Sequence, residues 1–358
     1  MTDSELVELT RKLVSIPSHE DETEAGDYIE RWLREETTAT VTRDSHGNVI
    51  AQYGDGRPTL ALVGHHDVVP PDETQYENGE YIVTQTDGRL YGRGAADMKG
   101  AVAAAMCAFR ESPHEGLAVA SFVGEEVGGR GARAAIADGF APECAIVGEG
   151  STGYSATGVT DVAVAHKGRR ASTLVAEGTA AHASEPDAGE NAIYRATDAV
   201  SVVRDLPAPE TTVFGNEVAG SLVVTEIAGG SAWNVIPERC TVTIDERTVP
   251  GERAPLSRAE TEGVTWEIDQ DLPPMACDDD EFADSVLAVA DDSQDGTPNA
   301  VIKPHATDAG WLAQAGTTCL VCGPAEPGEA HTADESVSVA VLERCREIYA
   351  GVAEQLLG

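Results

Sequence analysis

The chain has 358 residues, long enough for two domains and a large buried core. Hydrophobic residues make up 41% and charged residues 24%, an ordinary mix for a soluble globular fold, and no apolar run approaches the roughly 20 residues needed to cross a bilayer. Sixty-two Asp and Glu face 24 Lys and Arg, a net charge of −38 that argues against nucleic acid or an anionic membrane as partner.

The opening, MTDSELVELTRKLVSIPS, alternates charged and apolar residues at helical spacing, with Ser4 placed to cap the helix. It has neither the basic start nor the apolar middle of a signal peptide, so a cytoplasmic location is expected. LALVG (60–64) reads as a buried strand and KGAVAAAMCAFRE (99–111) as a helix. LAVASFVG (117–124) and CAIVGEG (144–150) read as further buried strands. This alternation predicts an α/β fold, a mixed, mostly parallel sheet with helices on both faces.

After Lys167 the pattern changes. RRASTLVAEG, SLVVTEIAGG and CTVTIDERTV are strand-like, with a helical pattern over 190–205 between the first two. That predicts a smaller α+β unit over 170–272, inserted into a domain built from 1–169 and 273–358. A helix over 280–291, the strand TTCLVCG (317–323) and a helix over 335–356 complete the larger domain. Of the seven cysteines, Cys319 and Cys322 form a C-x-x-C, but inside an apolar run that reads as a buried strand.

Residues with chemistry cluster where apolar strands end. His65 and Asp67 follow the first strand in ALVGHHDVVP, and Asp97 lies in the glycine-flanked turn of LYGRGAADMKG. Glu125 and Glu126 are adjacent after SFVG, where neighbouring side chains address different points of one site. Glu149 ends AIVGEG, and His331 lies in the Gly/Pro loop GPAEPGEAHTADE. Singly, each has an ordinary use: a helix cap for Asp97, an exposed acidic turn for the glutamates. Together, five segments place His, Asp or Glu just beyond a strand, where open α/β sheets bind their ligands. Two histidines and several carboxylates without cysteine suit a pair of borderline cations such as zinc, and such a pair activates water against a carbonyl at neutral pH.

The motifs GHHDVVP, GRGAADMKG, GEE, VGEG and AHTADE, in that order, resemble the dizinc deacylase and aminopeptidase family, which includes succinyl-diaminopimelate desuccinylase and acetylornithine deacetylase. The resemblance runs from the first helix to the last. It implies two Zn2+ ions, with Co2+ or Mn2+ able to substitute. Asp97 would bridge them, His65 and Glu149 would hold one, and Glu126 and His331 the other. Glu125 would be the general base, and Asp67 would orient His65 through its other ring nitrogen. The family's usual first motif has Thr where this chain has His66.

The insertion resembles the family's lid and dimerisation domain, which implies a homodimer. EGTAAHASEPDAGENAI is similar to its G-x-x-x-H-x-S-x-P motif, so His182 would stabilise the oxyanion. Asn234 in SAWNVIPERC, Arg247 in TIDERTV and Arg169 or Arg170 in HKGRR resemble substrate-binding positions, and HATDAG, with Thr307 and Asp308, resembles the loop that closes over the substrate's carboxylate end. The implied reaction is hydrolysis of the amide of a small N-acyl amino acid, in amino-acid biosynthesis. LYGRGAADMKG and NVIP favour the N-succinyl-diaminopimelate desuccinylase by a small margin. GPAEPGEAHTADE is closer to N-acetylornithine (or N-acyl-lysine) deacetylase. A dipeptidase or carboxypeptidase with the same metal core is a further reading, and a catalytically inactive binding protein on this fold is one of another class. The acidic excess, with only four lysines, is similar to that of proteins from salt-accumulating halophiles, in which molar salt screens the self-repulsion.

Overall fold

LALVGH and LAVASF carry hardly a polar residue on either pleat face, and both become central strands, Leu60–His65 and Leu117–Phe122, with every residue buried. The structure is a computed structural model that describes residues 4–358, and it forms two units. One comprises the residues up to Ala165, Met275–Lys303 and Thr307–Gly358, and the other His166–Pro274 and Pro304–Ala306.

The first unit is built on a nine-stranded mixed sheet. Its centre is parallel: Leu117–Phe122, Leu60–His65, Cys144–Val147 and Thr318–Val321 lie side by side in that order. Antiparallel strands flank it, Val49–Gln52 and Thr40–Arg43 beyond one edge and Val162–His166 beyond the other. Ala61, Val63, Ala118, Ala120, Phe122, Val147 and Val321 share a core with Ala132 and Ala135 of the helix Arg130–Ala137 and with Ala309 and Leu312 of the helix Asp308–Gln314. The other face takes the alanine-rich helix Gly100–Glu111, which approaches so closely that a Cβ on Gly64 would lie 2.8 Å from Met98 and Val102. The mixed α/β architecture with helices on both faces is the one its composition pattern predicts.

The last helix differs from its sequence expectation. It runs Val339–Leu357, and residues 336–338 instead form a strand antiparallel to Arg89–Tyr91. Val337, with no exposed surface, sits inward on that ribbon, and the pairing overrides the helical spacing of the valines. Among the described residues all seven cysteines are free thiols, and Cys319 and Cys322 are fully buried. No helix of the described residues is long and apolar enough to cross a membrane.

The second unit is a four-stranded antiparallel sheet in the order Ser221–Gly229, Arg239–Thr248, Gly168–Glu177, Val264–Leu272. The helix Ala192–Asp205, capped by the Asn191 side chain, covers one face and buries Ala192, Ala196, Ala199 and Val203 against Leu174, Ala176, Val242 and Ile244. The strand 264–272 has no counterpart in the sequence reading. Its acidic EIDQDL is an edge sequence, and edges tolerate charge that hides the period-two signal.

Candidate metal centre

Because the central strands run parallel, their carboxyl ends reach the same edge, and five chemistry-bearing segments meet there. His65 is the last residue of its strand. Glu125 and Glu126 follow Leu117–Phe122, and Glu149 follows Cys144–Val147. Asp97 lies in an irregular turn over Ala95–Lys99 whose own backbone is non-helical, just before the helix Gly100–Glu111. His331 comes from the loop after Thr318–Val321 and adopts a left-handed backbone, φ +63°, a conformation histidine tolerates better than most residues.

These side chains form two triads that share one residue. His65 Nε2 lies 3.1 Å from Asp97 Oδ1 and 3.3 Å from Glu149 Oε1. His331 Nε2 lies 3.0 Å from Asp97 Oδ2 and 2.8 Å from Glu126 Oε1. Asp97 therefore turns one oxygen to each triad, and within each group the ligand atoms all lie within 4.8 Å of one another, close enough to hold an ion.

Charge balance at the cluster is tight. Burial works against the His65 imidazolium, but hydrogen bonds with Asp67, Asp97 and Glu149 raise its pKa well above the usual value. Hydrogen bonds to Asp97 and Glu126 raise that of His331 to about 10. Burial would raise the Asp97 carboxyl, yet the bonds from His331 and His65 outweigh it and hold it below the usual carboxylate range. Glu125 moves the other way: burial, joined by the carboxylates of Asp308, Glu149 and Asp97, pushes it well above that range.

Asp67 supports the cluster from behind. His65 Nδ1 lies 3.0 Å from the Asp67 carbonyl and 3.4 Å from its carboxylate. That carboxylate also accepts the backbone N–H groups of Glu125 and Glu126, each at 3.1 Å. His66 is a neutral imidazole, its pKa pushed down by burial to about 3, with Nδ1 2.8 Å from the Ser121 hydroxyl.

Lys303, which the sequence reading did not assign, and Asp308, which it grouped with Thr307 in HATDAG, join the site. Lys303, buried, donates to the Gly150 carbonyl at 2.8 Å and lies 3.5 Å from Glu149 Oε2, so the second oxygen of that glutamate faces a cation. Asp308 is 3% exposed, has no hydrogen-bond partner for either carboxylate oxygen among the described residues, and is raised by burial to about 7. Its neighbour Thr307 is also buried, and its hydroxyl accepts the Ala309 N–H as a helix cap.

The remaining predicted residues lie in the second unit. His182 pairs with Val235 in a two-residue ribbon, and the Asn234 carbonyl accepts the Ala183 N–H, so these two positions are neighbours. His182 Nδ1 accepts the Ser184 N–H at 3.2 Å and lies 2.6 Å from the Ser184 hydroxyl. Arg169 and Arg247 are cross-strand partners that share Asp245, one on each oxygen, at 2.7 and 2.8 Å. Arg170 faces the other way: it is 6% exposed, ion-paired to the fully buried Glu246, donating to the Ala254 carbonyl and stacked over Trp266. The structure thus commits Arg170 to the interior and leaves Arg169 and Arg247 half exposed.

Two His–carboxylate triads joined by one aspartate thus lie at the carboxyl edge of an α/β sheet, an arrangement that could hold two cations. The model for Peptidase family M20/M25/M40 matches residues 61–355, and the chain belongs to that family. It is 31% identical over 331 residues to an acetylornithine deacetylase of Myxococcus xanthus, covering 85% of this chain and 82% of that protein. An acetylornithine deacetylase of Pectobacterium atrosepticum is 29% identical over 329 residues, with the same coverage of 85% and 82%. Among solved structures, the aminopeptidase PepT of Bacillus cereus superposes with a TM-score of 0.79 at 19% identity, over 98% of this chain and 97% of that one. A dinuclear metal-binding peptidase of Bacillus subtilis gives 0.71 at 17% identity, over 98% and 97%. At those identities the structures speak for the fold.

Proposed function

We propose that this chain is a cytoplasmic two-zinc amidohydrolase, acting as a homodimer, that removes the acyl group from the nitrogen of a small amino acid. The observation that carries the reading is Asp97, one carboxylate offering its two oxygens to two separate His–carboxylate pairs. The donor set fits zinc. Ligands around a tetrahedral zinc, with bonds of 2.0–2.2 Å, lie roughly 3.3–3.6 Å apart. The Nε2-to-oxygen separations here, from 2.8 to 3.3 Å, need only a small outward shift to match. His65, Glu149 and Asp97 would hold one ion, Asp97, Glu126 and His331 the other, and Co2+ or Mn2+ suits the same donors. When bound, the pair supplies Lewis-acid polarisation of the scissile carbonyl and an acidified water.

The chain's own residues carry the rest. Glu125 takes the proton from the attacking water and returns it to the leaving amine; burial raises its carboxyl above the ordinary range, which strengthens it as a base. Asp67 fixes the backbone of Glu125 and Glu126 at once and steadies His65, so base and ligands keep their spacing. His182 accepts at Nδ1 from the Ser184 N–H, which leaves Nε2–H free to donate to an oxyanion. Arg169 and Arg247, held on Asp245, suit a substrate carboxylate. Asn234 and Thr307 remain substrate-binding candidates, Thr307 through its backbone since its hydroxyl caps a helix.

Within the acyl class, the deacetylase names of the relatives favour an acetyl substrate of the ornithine or lysine type over the succinyl one that the early motifs favour. The peptidase names of the structural neighbours keep a dipeptidase reading beside it. Purified protein at high salt with zinc or cobalt, assayed on N-acetylornithine, N-succinyl-diaminopimelate and simple dipeptides, separates them. Turnover of dipeptides alone would overturn the deacylase reading.

A further inference from the structure

Arg93 and Glu335 lie 242 positions apart in the chain and meet as an ion pair at 2.6 Å. Both are almost fully buried, Arg93 at 3% exposure and Glu335 at 1%. A buried pair of this kind contributes little net stability, because desolvation offsets the attraction. Its second carboxylate oxygen shows another use. Glu335 Oε1 accepts the backbone N–H groups of both Ala96 and Asp97, each at 3.1 Å. The Glu335 carbonyl accepts the Gly92 N–H at 3.0 Å, and the next three residues continue as the strand paired with Arg89–Tyr91.

Asp97 has both side-chain oxygens turned toward histidines, so it cannot cap its own turn. Glu335 supplies that cap, and it stands four residues after His331 in the same loop. We propose that Glu335 is a positioning residue that ties the turn carrying Asp97 to the loop carrying His331, so that the two ligands of one ion are spaced before the ion arrives. This rests on the reading that Asp97, Glu126 and His331 hold a metal. Arg93 donates to the other oxygen and neutralises the carboxylate, a charge role that a lysine can also fill.

The test is a competition titration with Co2+ and Zn2+ against a chromophoric chelator, on wild type, Glu335→Gln, Glu335→Asp and Arg93→Lys, with circular dichroism to confirm the fold. Gln keeps an acceptor but sets an amide donor against Arg93, and Asp is a methylene too short to serve pair and amides together. Both are expected to bind at least one ion ten- to a hundred-fold more weakly, the range for lost outer-layer partners. Arg93→Lys keeps the glutamate charge and its amide bonds and is expected near wild-type affinity. Hydrogen exchange on the metal-free wild type needs no variant: the Ala96 and Asp97 amides should be protected. Wild-type affinity in Glu335→Gln, weakening by Arg93→Lys equal to that of Glu335→Gln, or unprotected amides in the wild type would each overturn the proposal. A wild type that binds no ion would instead overturn the metal reading on which it rests.

Discussion

Glu125→Gln removes one ionisable oxygen and keeps the shape. The backbone N–H of residue 125 still meets Asp67 at 3.1 Å, so its neighbour Glu126 should not move, nor should the separation of 2.8 Å to His331. The loss is then confined to proton transfer. A positioned general acid–base contributes about 10² to 10⁴ in rate, which at 1.36 kcal/mol per decade is about 2.7–5.4 kcal/mol of transition-state stabilisation. We expect kcat to fall by that factor while metal content, read by atomic emission after gel filtration, stays near two ions per chain. A second readout has an independent sign. The folded carboxyl is raised above its ordinary value by burial, so metal-free wild type gains stability from it below about pH 4.5 and loses that gain as pH rises through the folded value. Glutamine does not ionise, so the metal-free variant should be the more stable protein near neutral pH. Loss of the metals, or undiminished kcat, would refute the assignment of Glu125 as base and Glu126 as ligand.

Lys303→Met should destabilise the metal-free protein by about 3–5 kcal/mol, the cost of leaving one partner of a buried pair uncompensated. The loss should shrink with zinc present, because an ion on Glu149 neutralises the same carboxylate; denaturant melts with and without zinc check this. Arg170→Met should cost a similar amount, about 3–5 kcal/mol, through Glu246, leaving KM unchanged in the folded fraction, whereas Arg169→Met should raise KM with little loss of stability. The charge of −38 predicts a melting temperature that climbs steeply with KCl toward molar concentrations, where the Debye length is about 3 Å; full stability in dilute buffer would contradict it.

The α/β core was legible because Leu60–His65 and Leu117–Phe122 are short runs apolar on both pleat faces, as strands covered on both sides are. The sites where strands end were legible for the same reason: His65, Glu125 and Glu149 interrupt apolar runs at the point where a sheet opens to ligand. Glu335 was not. It closes the motif AHTADE, but nothing in the motif says which of its acids is buried, and only coordinates distinguish a buried glutamate from a solvated one. Arg170 illustrates the same limit in reverse. Two adjacent arginines on a strand must face opposite sides, but alternation alone does not say which side is the interior. The strand over 336–338 escaped because its partner, Arg89–Tyr91, is too far along the chain for any local pattern to report the pairing.

The strand Cys144–Val147 takes one of its two parallel neighbours from Thr318–Val321, which the ribosome delivers 171 residues later. At synthesis rates of about 5–20 residues per second, that leaves an open apolar edge for roughly 10–35 s. During this interval the nascent chain offers a template for wrong pairing.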